Sequence, residues 1–298
     1  MNILMTGGTG FIGQKLIEKL IENDHHTYVL TRSPKKHPNT ANITFISYDY
    51  PVNRLPKIHG VINLAGESIF GKWTDEKKAN ILKSRLEITE KVIQLISKMN
   101  EKPNVFVNAS AVGFYGMSDT KIFTEKTKLP AKDFLADVVA KWENAALAAE
   151  DFGIRTVRTR FGIILDSDNG ALSLMDKVFK SFIGGKIGNG EQWMSWVHID
   201  DVINLIYYAL TNDFVKGPIN VTAPNPLRNK DFTISLGDAL NRPTVFMVPK
   251  EAITLVMGEM GQLITKGQYV LPKRAIEYGY QFKYPDLKDA LEAIYHSK

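Results

Sequence analysis

Three glycines carry the first chemical signal in this 298-residue chain. Gly7, Gly10 and Gly13 stand at three-residue spacing in TGGTGFIG. Ahead of them the apolar run 2–5 reads as a buried strand, and behind them 14–21 carries a helical apolar pattern. That order suits the pyrophosphate of a dinucleotide. The first glycine permits a tight turn, the second lets phosphate approach the backbone, and the third lets helix pack on strand. The helix N-terminus then presents free N–H groups. A glycine-rich turn without a ligand is the plain alternative, and the placement between strand and helix argues against it. A second signal comes at the end of the next strand. NAD-selective sites often place an acid there to bond the ribose 2′-hydroxyl. Here the strand ends in Thr31-Arg32-Ser33, with Lys35 and Lys36 behind. An arginine there can clamp a 2′-phosphate through its forked donors, with Ser33 adding a hydroxyl. The expected cofactor is therefore NADP(H) rather than NAD(H), against the alternative of a solvated basic turn.

The elements that must position these residues alternate between strand and helix in the first half of the chain. Strand patterns fall at 27–31, 43–48, 60–64, 105–109 and 154–159, and helical patterns at about 75–99 and 133–150. This alternation predicts an α/β fold, a Rossmann-like doubly wound parallel sheet. The pattern changes after residue 165. An extended segment at 193–199 precedes a helix at 202–210, for which Asp200 or Asp201 is the expected N-cap, and a further strand follows at 219–222. From 228 onward, short helices alternate with proline and glycine. The expected organisation is a dinucleotide-binding domain at 1–165, rejoined by 195–222, with a smaller C-terminal substrate lobe from 166–194 and 223–298.

Composition narrows the chemistry. The chain has no cysteine, which excludes disulfides, thiol catalysis and thiolate metal sites. Six histidines lack metal-ligand spacing, so no metal is expected. The net charge of +5 suits an anionic small ligand, but no dense basic stripe with interleaved aromatics points to nucleic acid. No apolar run is long enough to span a membrane, and a strand starting at residue 2 or 3 leaves no room for a leader, so a cytoplasmic protein is expected.

These motifs resemble the short-chain dehydrogenase/reductase superfamily in its extended branch. The resemblance rests on TGGTGFIG at 6–13, NLAG at 63–66, SAVGFYG at 110–116 and VHIDD at 197–201. The chain is similar, over nearly its whole length, to the "epimerase family protein" group, atypical members with a C-terminal domain of unassigned function. The pieces that carry this are LAGESI at 64–69, ILKSRLEIT at 81–89, DFLADVVAKWENAA at 133–146, NVTAPNP at 220–226 and GQYVLP at 267–272. The resemblance implies cofactor contacts from Gly7, Thr9, Gly10, Phe11, Ile12 and Arg32, then from Leu64, Ala65, Gly66, Arg85, Ser110 and Ile163. The plain alternative for Arg85 is a surface ion pair with Glu87 or Glu90. By analogy with extended relatives, the helices 75–99 and 133–150 could pair with a second copy in a homodimer.

The superfamily's usual catalytic unit is a tyrosine four residues before a lysine on one helix face, the ammonium favouring the phenolate. Aligning the 133–150 helix on Glu143 puts Leu135 or Phe134 at the tyrosine position and Val138 or Val139 at the lysine position. Two other Tyr-x-x-x-Lys matches, Tyr269–Lys273 and Tyr284–Lys288, carry prolines that argue against a shared helical face. The remaining candidates for proton chemistry are Ser110 at a strand end, Tyr115 in FYG and Glu67 after NLAG, with water as the alternative. Lys141 reads as solvated, and His198 as a structural residue holding its loop. Two functions follow. One is an oxidoreductase or epimerase acting on a small polar or nucleotide-linked molecule. The other is a non-catalytic NADPH sensor or scaffold.

Overall fold

The computed structural model describes residues 1–128 and 130–296. Its centre is a seven-stranded, wholly parallel sheet. Five strands are β1 (Asn2–Thr6), β2 (His26–Leu30), β3 (Ile43–Ile46), β4 (Gly60–Asn63) and β5 (Val105–Ala111). The short β6 (Ile122–Phe123) lies outside the sheet, β7 (Arg155–Phe161) rejoins it, and Gly217–Val221 forms its edge. The spatial order is edge strand, β7, β5, β4, β1, β2, β3. Strands such as β1 and β4 are buried on both faces, which is why they read as unbroken apolar runs rather than alternating ones.

Helices cover both faces. On one, α1 (Phe11–Glu22) and α5 (Ile199–Thr211) pack Leu16, Leu20, Val202 and Ile206 against Ile3, Met5 and Val107. On the other, α2 (Asp75–Ser97) and α3 (Phe134–Leu147) bury Val92, Ile96 and Ala146 against Leu4, Val61 and Phe106. The helix α4 (Gly170–Lys180) belongs to a third cluster, where Leu172 and Phe179 meet Trp196, Phe232 and Leu291. Among the described residues no helix is long and apolar enough to cross a membrane.

The strands and helices predicted in the first half are all present, with shifted ends. β2 stops at Leu30, so Arg32 lies just beyond the strand, and β7 runs on to Phe161. The segment expected to be extended over 193–199 is two short strands, Trp193–Met194 and Trp196–His198, with different partners. One cap differs. α5 is capped by His198, whose Nδ1 accepts the Asp200 N–H at 3.0 Å, and not by Asp200 or Asp201. The buried His198 packs on Tyr284, and burial lowers its pKa, so it accepts as the neutral imidazole. Asp200 and Asp201 sit in the first turn, where negative charge suits the helix dipole.

Candidate functional site

The site lies at the C-terminal ends of the strands, where the chain leaves β1 in one direction and β4 in the other. Such a reversal opens a crevice in a doubly wound sheet. Gly7 follows β1 with φ of +71°, and a Cβ there would come 2.8 Å from the Leu64 carbonyl carbon. A Cβ on Gly13 would stand 2.1 Å from the Gly7 carbonyl oxygen. The turn therefore presses on both α1 and the loop Leu64-Ala65-Gly66, and side chains are excluded where these backbones meet.

Some helix ends are capped by side chains and others, such as those of α1 and α4, are not. Thr74 caps α2 by accepting the Lys77 N–H at 3.1 Å, and Asp133 caps α3 by accepting the Ala136 N–H at 2.9 Å. At α1 the cap is Gly10, no side chain bonds the end, and the first turn holds no acid. The N–H groups of its first turn follow the C-terminal end of β1 and have no side-chain acceptor, which suits an anion. Thr9 and Gly10 are exposed, while Phe11 and Ile12 are partly covered.

A buried polar chain fixes the facing loop. Thr6 Oγ1 donates to Asn63 Oδ1 at 2.5 Å and accepts the Ala65 N–H at 3.2 Å. Asn63 Nδ2 donates to Thr89 on α2 and to Asn108 on β5, and Trp142 Nε1 of α3 also donates to Thr89. One asparagine thus ties two strands and α2 together, and Thr89 extends the chain to α3. The sequence reading named NLAG but missed this role, whose signal was a polar residue closing an apolar strand.

Arg85 does not pair with Glu87 or Glu90. Its Nη1 donates to the carbonyls of Glu67 and Ile81 at 3.0 and 2.9 Å, and its guanidinium lies 5.1 Å from the Trp142 ring centroid. It lies across Gly66, where a Cβ would meet it at 3.2 Å. Burial pushes its pKa down to about 10, which still leaves it charged at neutral pH. Arg32 is exposed and, among the described residues, forms no salt bridge. The Glu67 carboxyl lies in the field of both arginines. Glu67 itself bonds Lys77 at 2.7 Å, and that bond holds its carboxyl below the usual range. At neutral pH it is a carboxylate and gives no proton.

Ser110 and Tyr115 belong to a different arrangement. Ser110 Oγ donates to Glu143 Oε1 at 2.6 Å. Arg160 grips both oxygens of the same carboxylate, from Nε at 2.7 Å and Nη2 at 2.8 Å. Arg160 Nη1 also donates to the Tyr115 hydroxyl, which donates in turn to Asn220 Oδ1 at 2.7 Å. Burial pushes the Tyr115 phenol up to about 12. Each polar group in this cluster faces a partner, and all are nearly shut off from solvent. Where a tyrosine and lysine would stand, α3 presents Leu135 and Val139 toward Gly113. Ile163 lies past β7, where its N–H donates to the Ser195 carbonyl at 2.8 Å. Lys141 is exposed and paired with Asp137. Among the described residues no group of acids and histidines has the makings of a metal site.

Comparison with known proteins bears on this geometry. The sequence pattern of the NAD dependent epimerase/dehydratase family matches residues 3–222, and that of a domain of unknown function matches 248–294. The epimerase family protein YfhF of Bacillus subtilis is 44% identical over 99% of this chain and 98% of its own. A chloroplastic homolog of the epimerase family protein SDR39U1 from Arabidopsis thaliana is 43% identical, over 99% of this chain and 86% of its own. Among solved structures, human epimerase family protein SDR39U1 with NADPH superposes with a TM-score of 0.90 at 31% identity, covering all of both chains. UDP-glucuronic acid 4-epimerase from Bacillus cereus has a TM-score of 0.76 at 17% identity, over 99% of this chain and 98% of its own, a likeness of fold.

Proposed function

Because the chain belongs to the NAD dependent epimerase/dehydratase family, we propose that it is an NADP(H)-dependent oxidoreductase or epimerase acting on a small polar or nucleotide-linked molecule. One observation carries the cofactor assignment. The α1 N-terminus has no side-chain cap, Arg32 just beyond β2 forms no salt bridge among the described residues, and no acid ends β2. The human relative crystallised with NADPH supports the same choice. Bound NADP(H) supplies or accepts a hydride. Around it the glycine turn would hold the pyrophosphate, Arg32 the 2′-phosphate, and Arg85 with the Leu64-Ala65-Gly66 loop the intervening part.

The chain's own groups limit the proton chemistry. Ser110 donates its hydrogen bond to Glu143, Tyr115 donates its own to Asn220, and Glu67 is held ionised by Lys77. Water is then the proton source at a substrate oxygen. Epimerisation at a sugar carbinol needs a base close to a hydroxyl. The apolar pair Leu135 and Val139 offers none, which favours reduction of an electron-poor carbonyl over epimerisation.

In this reading residues 166–194 and 223–298 form the substrate lobe, and the expected location is the cytoplasm. The groove between α2 and α3, lined by Leu86, Ile93, Ala140 and Ala145, is the proposed homodimer face. A second reading, an NADPH sensor without turnover, is favoured by the same closed cluster at Ser110. Incubating the protein with NADPH and a panel of carbonyls and nucleotide sugars separates the two. The enzyme reading expects oxidation of NADPH by at least one panel member. Tight NADPH binding without turnover across the panel replaces it with the sensor.

A further inference from the structure

A second charged cavity lies at the opposite side of the sheet from Arg32. It has a volume of about 650 Å³, and its wall includes Arg158 of β7, Arg274, Glu125, Lys126, Lys128 and Glu143. Strands β5 and β4 separate β7 from β1 and its glycine turn.

Two guanidinium groups converge there over bare backbone. Gly217 opens the edge strand with φ of +77°. A Cβ at that glycine would meet Arg274 Nη1 at 2.7 Å and would stand 3.9 Å from Arg158 Nη2. Arg274 Nη1 donates to the Pro218 carbonyl at 3.2 Å, and like charges this close favour an anion between them. Burial pulls the Arg158 pKa below its ordinary value, and the charges of Arg160 and Arg274 add to this while Glu143 opposes it.

The nearby carboxylates are already engaged. Arg160 takes both Glu143 oxygens, and Arg158 reaches Glu143 only at 3.5 Å. Glu125 Oε1 accepts the backbone N–H groups of Asn220 and Arg274 at 2.9 and 3.3 Å. Two polar atoms are left over. Arg158 Nε is a buried donor and Glu125 Oε2 a buried acceptor, and neither has a hydrogen-bond partner. Glu125 is only 5% exposed. Both atoms are sealed behind the wall, so the groups that face the cavity are the guanidinium ends and the lysines.

Two guanidiniums on one cavity wall set the ligand's chemistry. It must present several anionic oxygens to forked N–H donors. A phosphate does so with three or four strongly accepting oxygens, a sulfate with weaker acceptors and a simple carboxylate with only two. We propose that Arg158 and Arg274 form a phosphate-binding site separate from the dinucleotide site. It takes either inorganic phosphate or the phosphate of a small phosphomonoester. Lys126 and Lys128, at the same cavity, raise the local concentration of anions.

The test is calorimetric titration of the full chain, saturated with NADP⁺ so that the glycine turn is closed to phosphate. Inorganic phosphate, glycerol phosphate and sulfate are the three probes. The expected result is saturable phosphate binding, weaker binding of sulfate, and a loss of about tenfold or more in Arg158→Gln, one decade in the dissociation constant being the readable step. Tighter binding of glycerol phosphate assigns the site to an esterified phosphate, and tighter binding of inorganic phosphate to the free ion. Arg158→Lys, which keeps charge and bulk but not the fork, is expected to fall between wild type and Arg158→Gln. An unchanged NADPH affinity and melting temperature show that the variants are folded. The proposal is overturned if phosphate gives no saturable heat, if NADP⁺ abolishes the binding, or if both Arg158 variants bind like the wild type.

Discussion

The glycine turn and the Ser110 cluster lie along the same edge of one sheet, yet they are built on opposite terms. At the turn the protein leaves polar capacity unused. The α1 terminus has no cap, and Arg32 stands in solvent without an ion-pair partner among the described residues. At the cluster, Glu143, Arg160, Ser110, Tyr115 and Asn220 consume one another's hydrogen bonds. Unspent donors are what the proposed pyrophosphate site requires. A closed, buried network marks where helix α3 is fastened to β5, β7 and the edge strand. Ser110 and Tyr115, two of the candidates for proton chemistry, are both bonded into this network.

Removing the centre of the closed network should have the largest effect. Glu143→Ala strands the Arg160 guanidinium in the interior, and breaking such a pair costs about 3–5 kcal/mol. Chemical denaturation is expected to show that loss, with NADPH affinity of the remaining folded protein unchanged. A collapse of NADPH affinity in the folded variant would merge the two regions and break the comparison. At the open turn, Gly13→Ala places a methyl against the Gly7 carbonyl, a crowding that costs up to about 3 kcal/mol. Here the expected signature is inverted, because NADPH affinity should fall more than stability does, as titration and thermal melting would show. Equal losses in both would mean that the turn serves only packing. The smallest change is Tyr115→Phe, which removes one buried hydroxyl and about 1 kcal/mol. It should leave any turnover found with NADPH within about twofold, well under one decade of rate. A loss of a hundredfold would return Tyr115 to the chemistry.

The open region was much more legible in the sequence than the closed one. Glycine spacing, the missing acid near Arg32 and the apolar residues at 135 and 139 are local patterns, and local patterns survive in one dimension. The Glu143–Arg160 clamp joins a helix to a strand 17 residues later, and only their packing brings them together. Arg85 illustrates the same limit. The sequence left it between a cofactor contact and a surface pair with Glu87 or Glu90, and Gly66 leaves room for the guanidinium to lie over the loop. His198 was read correctly as structural, while its role as the α5 cap was given to the acids beside it, because Asp is the commoner cap. The cavity at Gly217 had no linear signal, since its arginines come from positions 158 and 274.

The central claim is that the turn and Arg32 together select a 2′-phosphate. Dissociation constants for NADPH and NADH, measured on the wild type and on Arg32→Ala, test it most directly. The account predicts that the wild type binds NADPH more tightly by about tenfold to a hundredfold, the range of a charge-assisted contact worth about 1.5–3 kcal/mol. It also predicts that Arg32→Ala erases the difference by weakening NADPH alone. Tighter binding of NADH by the wild type, or a preference for NADPH that survives in Arg32→Ala, would contradict it.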